Sequence, residues 1–190
     1  MYAEKSLSIG NMPRPIRHSI SKDYYLDFDV CNAHPTVLNH ICSQNQLNHY
    51  HLDYYVVNRE SVLKDTMDFY GCDRSCAKNL FLVMTYGGSI DCWKNEWNIE
   101  KDETPDFVLK LKDELNDISK TIYNKNPDLR HVVDDKLKTY RKQLKEYENG
   151  NRDNKPKPIN KLSSCMSLFA QDKERVMLES MFDFFVLKKI

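Results

Sequence analysis

Asp73-Arg74-Ser75-Cys76-Ala77-Lys78-Asn79-Leu80-Phe81-Leu82-Val83-Met84-Thr85-Tyr86-Gly87-Gly88 is the stretch on which the reading of this chain turns. Asp73 suits a helix N-cap and the glycine pair a stop, so the residues between them are expected to form one helix. Arg74, Lys78, Leu82 and Tyr86 lie four apart, and each such step rotates about 40° around a helix, which gathers all four on one stripe. Cys76, Ala77, Leu80, Val83 and Met84 occupy the opposite side. The spacing therefore predicts a helix that buries an aliphatic face and presents two cations and a phenol ring. Such a face suits phosphates and a base, because Arg and Lys make charge-assisted hydrogen bonds to phosphate oxygens and a Tyr ring can stack. It is also the face of an ordinary surface helix with solvated cations.

Outward from that helix, a second pattern stands upstream. Tyr24-Tyr25-Leu26-Asp27-Phe28-Asp29-Val30 alternates apolar and acidic residues at period two, as a half-buried strand does, and projects two aspartates from one side. Asn32 and Pro35 then open a helix carrying Val37, Leu38 and Ile41. The chain before Ser21, punctuated by Pro13 and Pro15 and bearing Arg14, Arg17 and His18, is expected to be an irregular lead-in. Further helices are expected from Leu52 to Tyr70 with a break near Asn58 and a stop at Gly71, over about 104–124 and 129–148, and from about Leu162 onward. Between Asn149 and Lys161 the composition turns to Asn, Gly, Pro and Lys, an exposed loop. With strands only near the start, the expected class is a helix-rich α+β fold.

The chain is neutral overall, with 28 Lys plus Arg against 28 Asp plus Glu, so global charge does not mark a nucleic-acid partner and a local basic face must carry any such claim. Lys136, Lys138, Arg141, Lys142 and Lys145 could supply one by lining a duplex path, or could be a solvated helix face. The six cysteines are scattered, as reduced thiols are, and Cys72-x-x-x-Cys76 lacks the second pair a zinc finger needs. No apolar run approaches the roughly 20 residues of a membrane span, and Met1–Ser6 lacks the apolar stretch of a secretory signal, so a soluble intracellular protein with no membrane partner is expected.

Arg74-x-x-x-Lys78 with Tyr86-Gly87 resembles motif B, the fingers helix of family A DNA polymerases, whose palm is shared by single-subunit RNA polymerases. Leu26-Asp27-Phe28-Asp29-Val30 with Asn32-Ala33-His34-Pro35 resembles motif A, the Ser6–Pro13 stretch with Arg17 resembles the segment before it that meets the primer–template duplex, and Ser163–Leu178 around Gln171 is similar to the helix near the template. Asp29 precedes Arg74 by about 45 residues and Tyr86 precedes Gln171 by about 85, separations close to the family's. The whole is most similar to divergent family A-like polymerases of large DNA viruses and mobile elements.

The resemblance implies template-directed nucleotidyl transfer in DNA replication: a partial polymerase palm with fingers helices, divided as 1–45, 46–128 and 129–190. It implies Asp29 as catalytic metal ligand with Asp27 as alternative or companion, Mg²⁺ as cofactor, and Lys78 acting on the nucleotide. Arg74, Lys78, Tyr86 and His34 would bind deoxynucleoside triphosphates, and Arg17, Gln171 and Gly87 would bind primer–template DNA. His34 stands where the family has a ribonucleotide-excluding Glu, and Leu82 where it has an aromatic residue. The family's His-Asp motif C would fall beyond Ile190; Asp183 lies too early and the Asp134-Asp135 pair precedes Gln171. The implied protein is thus truncated, a fragment lacking its second catalytic Asp, or one partnered by a separate chain that carries it. The alternatives are a non-catalytic nucleic-acid-binding remnant and a single-subunit RNA polymerase-like enzyme.

Overall fold

Burial of short apolar stripes between helices organises the chain in a computed structural model that describes residues 12–23, 30 and 32–188. Two compact units divide at Cys31 and Asn32. The first holds one described helix, α1 (Arg14–Ser21). The irregular lead-in expected there is helical because Pro15 sits in the first turn, where a missing N–H costs nothing and a fixed φ favours the helix. The Ser19 hydroxyl donates back to the Pro15 carbonyl at 2.9 Å.

The second unit carries α2 (Ala33–Gln44), α3 (Tyr50–Val57), α4 (Arg59–Tyr70), α5 (Arg74–Thr85), α6 (Ile90–Glu96), α7 (Asp106–Lys125), α8 (Pro127–Glu148) and α9 (Lys161–Lys188). The α+β expectation is overturned: every element among the described residues is a helix. Its only strand, Tyr24–Val30, falls almost wholly outside the described residues. Punctuation settles the helix ends. Gly71, at φ +64°, closes α4 in the left-handed region that glycine enters without strain. The Asp73 carboxylate accepts the Cys76 N–H at 2.8 Å and starts α5. Asn32 stands at the start of α2 as expected, yet its side chain makes no cap bond and instead accepts the Tyr55 hydroxyl at 3.4 Å. Sequence reading missed α6, whose cap Ser89 follows the glycine pair immediately.

The core forms where these helices cross. Cys76, Ala77, Leu80, Phe81 and Met84 of α5 are almost fully buried. Phe81 stacks on Tyr55 of α3 with centroids 4.4 Å apart, and the indole N–H of Trp93 on α6 donates to the Cys76 carbonyl at 3.1 Å. The long helix α9 packs across α2, α7 and α8, burying Cys165, Met166 and Phe169. Asn160 accepts the Ser163 N–H at 3.1 Å and begins it.

One polar group ties two layers together. The buried Glu114 carboxylate of α7 accepts the N–H groups of His51 and Leu52 at 3.1 and 2.8 Å, capping α3 from another helix, and also faces His51 Nδ1 at 3.1 Å. Its charge and the burial around it push the Cys42 thiol up to about 11, with burial the larger cause. Glu114→Ala leaves the Leu52 amide buried without a partner, and the expected cost is about 2–4 kcal/mol, read from the urea unfolding midpoint. An unchanged midpoint would refute the capping role.

Candidate functional site

The stripe of α5 is built as its spacing predicts. Arg74, Lys78 and Leu82 are exposed and Tyr86 is half-buried at the helix end, opposite the buried face. Arg74 is not free. Its guanidinium makes two parallel hydrogen bonds to the Glu60 carboxylate of α4, at 2.6 and 2.8 Å, and holds that carboxyl below its ordinary value. Lys78 lies one turn further along the same exposed side.

At the end of α5 the chain turns sharply. The N–H groups of Gly87 and Gly88 return to the Met84 and Val83 carbonyls at 2.9 and 2.8 Å. Gly87 has φ +71°, and a Cβ on Gly88 would run into the Val83 side chain. The Ser163 hydroxyl of α9 donates to the Gly87 carbonyl at 3.0 Å. This turn aims the Tyr86 phenol at His34, on the first turn of α2, where the hydroxyl meets Nδ1 in a short hydrogen bond. On the other side of the ring, His34 Nε2 lies 3.0 Å from Glu174 of α9.

In the His34 tautomer that donates from Nε2 to the Glu174 carboxylate, the Nδ1 lone pair accepts from the phenol. Tyr86, His34 and Glu174 thus form one chain of hydrogen bonds joining α5, α2 and α9. Burial, and then the charge of Glu174, raise the Tyr86 pKa above its ordinary value. A phenol held protonated is not an activated acid or nucleophile, and the chain acts as a clasp.

Of the remaining sequence-derived residues, Gln171 is exposed on α9 and Arg17 is partly exposed on α1. Asp27 and Asp29, the expected Mg²⁺ ligands, lie outside the described residues. Among the described residues no group of three or more His, Cys, Asp or Glu side chains could hold a metal ion, and no helix is long and apolar enough to cross a membrane.

A second surface carries more cationic chemistry. Lys136 and Tyr140 of α8 face Arg152, Lys155 and Lys157 of the 152–159 segment across a groove of about 710 Å³. Of the five cations expected on α8 only Lys136 lines it; Lys138, Arg141, Lys142 and Lys145 do not. Tyr140 and the lysines beside Pro156 were passed over in the sequence because loop composition hides which side chains share a wall. The available signal was the i, i+4 pairing of Lys136 with Tyr140 and the alternation Lys155-Pro156-Lys157-Pro158.

The clasp gives a pH-dependent expectation. Because the folded-state pKa of Tyr86 is raised, its share of stability is whole below the unfolded value near pH 10 and is lost as pH rises beyond it. Tyr86→Phe should lower stability by about 1 kcal/mol at pH 9, with the deficit shrinking by pH 11. Urea midpoints at the two pH values measure this, and a deficit that widens with pH would rule the clasp out.

Comparison with known proteins gives one relative: a Sputnik virophage protein that bears the name "Putative helicase", 32% identical over 191 residues, which take in 100% of this chain and 22% of that protein. The chain thus spans about a fifth of the length of the curated relative it matches. No protein-family model matches the chain, and no solved structure matches it. These findings correct the resemblance drawn from the motifs. The relative is named for a helicase, and the described residues form helices with none of a palm's strands, so the family A, template-directed DNA polymerase assignment does not stand.

Proposed function

We propose that this chain is a nucleic-acid-binding helical module of a helicase-like, nucleic-acid-processing enzyme. The observation that carries the proposal is identity spread over the whole chain with a protein named for a helicase. Local charge supports it. Between Lys136 and Lys161 nine lysines and arginines stand against three acids, in a chain whose total is neutral. The module's share of the activity is strand binding: none of its five glycines pairs at the spacing of a Gly-x-x-x-x-Gly-Lys phosphate loop.

Binding driven by these cations releases counterions, so affinity must fall steeply as salt rises. Fluorescence anisotropy with labelled oligonucleotides should give saturable binding at 50 mM salt that weakens at least tenfold by 200 mM. Absence of binding to any oligonucleotide at tens of micromolar protein would overturn the proposal.

A further inference from the structure

We propose that the groove between α8 and the 152–159 segment is a single-strand site, in which Lys136, Arg152, Lys155 and Lys157 hold phosphates while Tyr140 stacks an unpaired base. This deepens, and rests on, the nucleic-acid reading above. The two walls have complementary construction. On α8, Lys136 and Tyr140 are four apart and so lie side by side on the face that borders the groove. Opposite them, Pro156 is buried and pins the segment, and Lys155 and Lys157, both exposed, line the same groove. Lys155 and Lys157 flank the proline, so pinning it holds both ammonium groups beside the groove that they line.

The acid in the groove does not cancel this charge. Asp135 is paired with Lys138 at 2.9 Å, and that hydrogen bond holds its carboxyl below the ordinary value. The Arg152 guanidinium is steadied through Nε, which donates to the Asn154 carbonyl at 2.9 Å, and its terminal nitrogens remain for an anion. Four cations against one paired carboxylate call for a polyanion. Tyr140 decides which kind, because a duplex keeps its bases stacked inside and offers only phosphates to a cleft, whereas a single strand can lay a base on a half-buried ring. Lys138, Arg141, Lys142 and Lys145, outside the groove, are the surface a duplex would use.

The test compares variants of the whole chain, each checked by circular dichroism and thermal melting, by anisotropy with a labelled 12-nucleotide oligo-dT and a 12-base-pair duplex. Tyr140→Ala should weaken oligo-dT binding about 5- to 100-fold with its salt slope unchanged, and Tyr140→Phe should restore it. The double variant Lys155→Gln, Lys157→Gln should weaken binding and flatten the slope by about 1.4, two single-strand phosphate contacts. Lys142→Gln with Lys145→Gln, neither of which lines the groove, should leave oligo-dT affinity within about twofold. Preference for the duplex, equal binding of a polyglutamate peptide, or loss only in the Lys142 and Lys145 variant each overturns the groove assignment while nucleic-acid binding stands. No binding by the unmutated chain overturns both.

Discussion

Burial of the aliphatic face of α5 is the constraint from which the rest of the second unit follows. With Cys76, Ala77, Leu80, Phe81 and Met84 sealed against Tyr55 and Trp93, the rotation of the helix is set to within the width of that face. Arg74, Lys78 and Leu82 must then look outward. The end of the helix is set as well, because the glycine pair admits a turn that a Cβ at Gly88 would block. From that turn Tyr86 can reach His34, and through it Glu174, so a packing decision in the core becomes a polar link among three helices.

Polar groups in this unit join helices where apolar packing alone would leave backbone exposed. Glu114 supplies from α7 the cap that α3 does not encode for itself. Lys94, only 8% exposed, donates to the carbonyls of Asp102 and Glu103 and so ties down the loop that follows α6. Both are arrangements in which a charge is kept inside by hydrogen bonds to backbone, which is what makes its burial tolerable. The surplus cations outside are left to the surface, concentrated on α8 and the segment after it.

The polymerase-like phrase misled for a physical reason. A helix that buries one face leaves its polar residues three or four apart on the other, so Arg74 and Lys78 before the Tyr86-Gly87 turn fit an ordinary amphipathic helix as well as a motif. Arg74 is occupied by Glu60, an ion pair between residues 14 apart that no local pattern announces. Spacing between motifs carried the family resemblance, and spacing does not distinguish a phosphate-binding stripe from a solvated one.

Much of the helical layout was legible in the sequence because it depends on local chemistry: Asp73 as cap, Gly71 as stop, the break near Asn58 and the long last helix lie where short-range signals put them, whereas α1 and α6 were missed and α8 begins at Pro127 rather than near residue 129. The buried and exposed sides of α5 were legible for the same reason, since a period of 3.6 leaves little choice of face. The partners were not. Glu60 with Arg74, Glu114 with His51 and Leu52, Glu174 with His34, and the Lys155 and Lys157 wall opposite Tyr140 are each brought together across turns and helix crossings whose angles depend on how whole side chains interlock. Contacts between distant residues are decided by packing, which only the tertiary structure contains.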